Sequence, residues 1–158
     1  MADTAAPGAT LLSLWRRLAG LPGGPLLFSI ILGRRVPYTG SIRPRVEVLE
    51  PGFARVRMSD RPAVRNHLRS VHALALANLG EVTSGLAVLC GLPPGVRGIV
   101  TSLEARYHQK ARGPLVAEAR VVIPTVEATL EHQVVAEIRN EEGVLVAEVL
   151  VQWRLSPT

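Results

Sequence analysis

From Ala73 to Cys90 most positions are Ala, Leu, Val or Gly, an apolar run with no polar face. The run is longer than a strand and stops at Gly91 and Pro93-Pro94-Gly95, so it predicts a helix buried on most sides. On either side of it the period changes. Residues 45–50 and 53–58 alternate apolar with polar positions around Pro51-Gly52, which predicts a β-hairpin. Residues 99–109, 115–123, 131–139 and 144–155 also read as strands. The first pair of these is joined through Lys110-Ala111-Arg112-Gly113-Pro114. The second pair turns at Asn140-Glu141-Glu142-Gly143, where glycine supplies the positive φ. Upstream, Leu11, Leu14, Trp15 and Leu18 fall at helical spacing over residues 10–20, and Gly20-Leu21-Pro22-Gly23-Gly24-Pro25 ends that helix. Residues 26–34 predict a second short helix, Pro37-Tyr38-Thr39-Gly40 a break, and residues 1–9 a frayed terminus.

The order is a helical extension over residues 1–36, then a domain over residues 37–158 with two strands, one long helix and four strands. Strands with hairpin-length links predict an antiparallel sheet. A helix without a polar face must be wrapped by that sheet, which makes the class α+β. A chain of 158 residues supports one well-formed core. With 47% hydrophobic and 20% charged residues, wholesale disorder is excluded. Cys90 is the only cysteine, lies among apolar residues, and reads as a small buried hydrophobe. The N-terminus shows no secretory pattern, and the apolar run over residues 25–33 is too short to span a bilayer, so a cytoplasmic protein is expected.

Charge changes the picture only a little. The net charge is +5, and Lys110 is the only lysine among eighteen basic residues, an arginine bias that reads as genome composition. The balance favours anionic partners. Aromatic residues make up 4%, too few for base-stacking platforms, so no nucleic-acid partner is expected. His67, His108 and His132 lack metal-ligand spacing with acidic or Cys partners, and no metal is expected.

The candidate chemistry lies on the apolar helix and just before it. Glu81 is a carboxylate within the apolar run, and Glu is almost never fully buried unless it is paired or used. Partial desolvation raises its pKa, which suits a general base or nucleophile. The alternative is a structural pairing with an arginine. The helix start supplies free N–H groups and a positive dipole end, so the Ala73 N–H, with that of Leu74, is a candidate oxyanion donor. Asn66 and His72 precede it and can orient the loop or a water; equally, His72 can simply cap the helix and Asn66 can be a turn residue. Asn78, three residues before Glu81, is placed to satisfy it or a partner helix.

Asn66, His72 and Glu81, at gaps of six and nine residues, resemble the Asn, His and acidic residue of PaaI-like acyl-CoA thioesterases of the hotdog fold. In that family Asn precedes a His-Gly-Gly and an Asp lies on the helix; here Ala73-Leu74 replaces the glycines and Glu81 the Asp. Residues 66–87 and 104–113 resemble more closely a hotdog subfamily of unknown function. The resemblance covers roughly residues 37–155. It implies a curved antiparallel sheet around a long central helix, and hydrolysis of an acyl-CoA or similar thioester. No cofactor is implied beyond the coenzyme A of the substrate. Lys110 and Arg112, with Arg65 a further candidate, are placed to hold coenzyme A phosphates. Thr101 and Ser102 lie roughly where the family has a hydroxyl residue that positions water.

Geometry adds a constraint. His72 and Glu81 are separated by about 13 Å of helix rise and a rotation of about 900°, which puts them on opposite faces. A two-fold dimer pairing the helix start of one chain with Glu81 of the other removes that difficulty, and hotdog thioesterases assemble in this way. The oligomer is therefore expected to be a homodimer or a tetramer built from two dimers. The competing reading is a hotdog protein that binds acyl-CoA or acyl groups without turnover. A hotdog dehydratase is disfavoured, because its His-Phe-Pro-Gly signature is absent.

Overall fold

The computed structural model describes residues 7–158. Its elements are α1 (Pro7–Leu18), α2 (Gly24–Arg35), α3 (Pro37–Ser41), β1 (Arg45–Glu50), β2 (Phe53–Met58), α4 (Ala73–Gly91), β3 (Val96–Tyr107), β4 (Leu115–Arg120), β5 (Leu130–Asn140) and β6 (Leu145–Pro157). Six antiparallel strands in the order β1-β2-β4-β5-β6-β3 curve around α4. This is the hotdog arrangement.

The central helix begins and ends where its pattern predicts. Its length and composition would also suit a bilayer span, but it is largely buried by its own sheet. Close approach depends on Gly80, where a Cβ would lie 2.3 Å from the Cβ of Val149 on β6. Alanines on the facing strands, Ala54, Ala117, Ala119, Ala136 and Ala147, are all buried and keep the inner surface shallow. Cys90 is buried too, and the apolar surroundings push its thiol up to about 11, so it is inert as a nucleophile near neutral pH.

Three expectations need correction. The terminus is helical from Pro7, so residues 7–9 are not frayed; residues 1–6 lie outside the described residues. Helix α1 reaches that far because it packs on the end of α4: a Cβ at Gly8 would meet the Leu89 carbonyl oxygen, and Leu12 and Trp15 are buried below it. Next, Pro37-Tyr38-Thr39-Gly40 is a short helix rather than a plain break, with Pro37 in its first turn, where a missing N–H costs nothing. Last, β3 and β4 do not form a hairpin. β3 pairs with β6, whereas β4 lies between β2 and β5. Residues 108–114 instead carry the chain past the start of α4, where the Ala111 carbonyl accepts from the Val71 N–H at 2.8 Å. Alternation fixes the faces of a strand but does not choose its neighbours.

The N-terminal helices are tied into the same core. Trp15 meets Phe28 edge-to-face at 5.2 Å between ring centroids. Ser29 on α2 accepts from the Val46 N–H at 2.9 Å and donates to the Pro25 carbonyl, pinning α2 to β1.

Candidate active site

The loop before α4 is organised by Asn66. Its Oδ1 accepts from the Leu68 N–H at 2.9 Å, the Ser70 N–H at 3.3 Å and the Ser70 hydroxyl at 3.2 Å. The Asn66 N–H donates to the Ser70 carbonyl, and Arg69 closes the loop at φ 55°. This is an Asx-type turn in which one amide oxygen satisfies three donors. His72 then caps the helix: its Nδ1 accepts from the Leu74 N–H at 3.0 Å. In the neutral ring the proton therefore sits on Nε2. The Leu74 N–H is consumed by this cap, which corrects the expectation that it could serve as an oxyanion donor. The Ala73 N–H has no partner among the described residues.

Asn66, Ala73 and Lys110 line one cavity of about 270 Å³. Tyr107 closes its wall, donating its hydroxyl to the Ala73 carbonyl at 3.0 Å. Tyr107 had no role assigned from sequence; its place at the end of an alternating strand, in phase with Leu103, was the available signal. Arg112 is exposed on the same turn. Arg65 is committed elsewhere. Its Nε donates to Asp60 Oδ1 at 2.6 Å, and Asp60 Oδ2 accepts from the Gly113 N–H at 2.9 Å. The Arg65 guanidinium holds the Asp60 carboxyl below the usual carboxylate range against the opposing effect of burial. This clamp holds the loop before α4 to the turn that carries Lys110 and Arg112.

Glu81 lies in a different cavity, about 400 Å³, with Tyr38, Thr39, Leu74, Asn78 and Leu103 around it. Burial pushes its carboxyl pKa up, and no charge or donor opposes that shift. Among the described residues its carboxylate takes part in no ion pair or hydrogen bond, so the arginine pairing weighed as an alternative is not formed within the chain. Asn78 does not satisfy it either. The Asn78 amide donates to the Tyr38 carbonyl at 3.2 Å and fastens α3 to α4.

Thr101 and Ser102 do not reach either cavity. Thr101 sits in the irregular step of β3 between Val100 and Ser102, and its hydroxyl bonds Glu131 at 3.0 Å. The bulge reverses the face that a simple alternation predicts. Leu103 and Tyr107 point at the site, while Ser102 lies on the other face. Among the described residues the two candidate halves thus line separate cavities. Ala73 and Glu81 are separated by eight residues of helix, a rise of about 12 Å.

Residues 24–155 match the family model described as a domain of unknown function, DUF4442. No curated protein matches the sequence. Among solved structures, a structural-genomics target protein is 27% identical, with 95% of this chain and 100% of that one covered at a TM-score of 0.83. A Pseudomonas aeruginosa protein of unknown function, described as a probable thioesterase, is 27% identical over 87% of this chain and 97% of its own, at a TM-score of 0.76. A variant of a Staphylococcus aureus thioesterase enzyme shares the fold at 16% identity and a TM-score of 0.67, with 77% of this chain and 99% of that one covered.

Proposed function

The chain belongs to the DUF4442 family, and from that membership and the two half-sites we propose that it hydrolyses acyl-CoA-type thioesters in a site shared between two copies. The observation that carries this reading is Glu81, a partly desolvated carboxylate on the central helix, without a partner among the described residues and open to a cavity. Such a group takes a proton from water, or attacks a carbonyl itself, at higher pH than an exposed Glu. In the first route, water adds to the thioester carbon as Glu81 takes its proton. Collapse of the tetrahedral species breaks the C–S bond, and the proton passes to the departing sulfur, leaving a carboxylic acid and a free thiol. The Ala73 N–H, at the positive end of α4, faces the developing oxyanion; a donor of this kind typically contributes about 3–4 kcal/mol. Asn66 and His72 act as positioning residues that hold the loop and the first turn around that N–H. Lys110 and Arg112 offer positive charge at the mouth, and coenzyme A enters only as part of the substrate in a cytoplasmic enzyme. The probable-thioesterase description of the P. aeruginosa relative supports this class of substrate.

The edge strand β3 supports the dimer. It is an edge strand of twelve residues, with Ile99 64% exposed on it. A long unpaired edge of this kind is a template for a second chain. Antiparallel pairing of two copies about Ala105 sets Tyr107, beside the Ala73 cavity, against Leu103 of the other copy, beside its Glu81 cavity. The test is subunit mixing. Asn66→Ala and Glu81→Ala homodimers should each be inactive. Random reassortment makes half of the dimers hybrid, with one intact site in two, so about a quarter of wild-type activity should return. No recovery despite exchange shown by mass spectrometry would sink the shared site.

A second prediction concerns pH. Burial raises the Glu81 pKa above its unfolded-state value, so the folded chain holds that proton more tightly. Between the two values the folded state binds more protons than the unfolded one, and stability falls as pH rises. The stabilising contribution is full below the ordinary carboxylate range and is lost as pH passes the raised value. Activity that needs the ionised carboxylate runs the opposite way across the same window. The kcat/KM profile should show a rising limb centred above the usual Glu value of about 4.3, mirrored by a falling Tm, and both limbs should vanish in Glu81→Gln. A limb centred at the ordinary value contradicts the assignment.

Binding without turnover is favoured by one observation. Leu74 is 63% exposed, lines the Glu81 cavity, and has its N–H bonded to His72, so only Ala73 is left as a backbone donor at the helix start. Tight acyl-CoA binding by the wild type with no hydrolysis would select this reading.

A further inference from the structure

A cavity of about 830 Å³, larger than either half-site, lies between α2, α3 and the start of β1. Arg34, Arg43, Arg45 and Arg61 line it together with Ser41 and Ser59, and no Asp or Glu among the described residues does. None of the four arginines is in an ion pair among the described residues. This contrasts with Arg55, Arg57, Arg65, Arg106, Arg139 and Arg154, each of which holds a carboxylate. Asp60, the acid next to Arg61 in sequence, is committed to Arg65 and the Gly113 N–H.

Two details show that the convergence is built rather than incidental. Arg61 Nε is buried and has no hydrogen-bond partner among the described residues, while the same guanidinium donates through another nitrogen to the Ser41 carbonyl. Arg43 holds φ at 50°, in the left-handed region that a non-glycine residue rarely adopts. Burial and the neighbouring Arg43 both disfavour the Arg61 charge. The repulsion between Arg43 and the partly desolvated Arg61, in a cleft with no lining acid among the described residues, is relieved by an anion that fills it.

We propose that this cleft binds a small ligand carrying two or more phosphate charges; on the thioester reading, that ligand is the phosphorylated nucleotide end of coenzyme A. Guanidinium forks match phosphate oxygens in pairs, which suits a multiply charged phosphate group better than a single carboxylate. Helix α3 connects the cleft to the chemistry. Its Pro37, Gly40 and Ser41 line the cleft, whereas Tyr38 and Thr39 line the Glu81 cavity. A ligand with its phosphates among the arginines and its acyl end at Glu81 has to cross only one short helix, about 10–12 Å wide.

The test is calorimetric titration of the full chain with adenosine 3′,5′-bisphosphate and with inorganic pyrophosphate. Both should bind saturably and more weakly at high salt. Arg43→Gln with Arg45→Gln, and separately Arg34→Gln with Arg61→Gln, should weaken binding about tenfold or more. Arg16→Gln with Arg17→Gln, which removes the same charge from the exposed face of α1, should not. Arg34, Arg43 and Arg45 are exposed, so their variants test the cleft in a folded protein. No binding by the wild type, or loss only in Lys110→Gln with Arg112→Gln, would overturn the proposal. So would binding to anionic phospholipid vesicles that neither phosphate ligand displaces. Because no turnover is involved, phosphate binding without thioester hydrolysis would remove the thioesterase reading and keep the cleft, and hydrolysis without cleft binding would do the reverse.

Discussion

Glu81→Gln is expected to lower acyl-CoA hydrolysis by about 10³-fold or more while raising the melting temperature. A positioned general base typically contributes 10²–10⁴-fold, so the upper part of that range corresponds to about 4–5 kcal/mol at the transition state. The substitution removes charge with little change in size. The second half of the expectation comes from the surroundings. A carboxylate in a structural ion pair leaves an uncompensated partner when it is neutralised, and the protein weakens. Glu81 has no such partner among the described residues, and burial alone raises its pKa, so ionisation there costs stability that a neutral amide does not. Loss of activity with a gain in stability is the mark of a group kept for chemistry. The measurement is a hydrolysis screen over acyl-CoA chain lengths beside thermal unfolding at a pH where the wild-type group is ionised. Retained turnover in the variant removes Glu81 from the mechanism. A fall in melting temperature instead assigns it a structural role.

What could be read from sequence followed the strength of the physical constraint. An apolar run without a polar face has few solutions in water, so α4 was legible to within a residue and the strands around it to within about three. Asn66 was legible as a residue that orients the loop or simply turns it. That its oxygen gathers the Leu68 and Ser70 donors, and that Arg69 turns left-handed, was not legible, because those depend on the folded backbone. Pairing of β3 was not, because an edge strand and a hairpin strand alternate alike and the choice is made by the core. The bulge at Thr101 was invisible for the same reason, and it moved Ser102 off the site. The arginine cleft was overlooked for a different cause. Arg34, Arg43, Arg45 and Arg61 are spread over 28 residues and meet only when α2 folds back on β1. Composition could count them but could not show that the acids are all elsewhere.

Gly80→Ala is expected to lower stability by about 2–3 kcal/mol, and Gly85→Ala, five residues on in the same helix, to leave it unchanged or raise it by up to about 1 kcal/mol. The helix gains the same intrinsic propensity in both cases, so the sign is decided by the neighbours. At position 80 a new Cβ would lie 2.3 Å from both Cβ and Cγ2 of Val149 and 2.9 Å from its Cγ1. Val149 cannot step aside, since β6 is paired on one side with β5 and on the other with β3, opposite Ala136 and Ala105. Helix α4 must therefore lift away from the sheet to restore ordinary contact near 3.5–4.0 Å. At position 85 the nearest atoms are on the Trp153 ring at 3.6 Å, which is normal van der Waals distance. For a domain of this size the Gly80 variant should melt roughly 5–10 °C lower. Adding Val149→Ala should return only part of that loss, because it clears the two methyl groups and leaves the Cβ in place. The lift also carries Glu81, the next residue, out of register with its cavity, so hydrolysis should fall in the Gly80 variant and persist in the Gly85 variant. Equal shifts in melting temperature for the two would mean that helix α4 and strand β6 are not in close contact at Gly80.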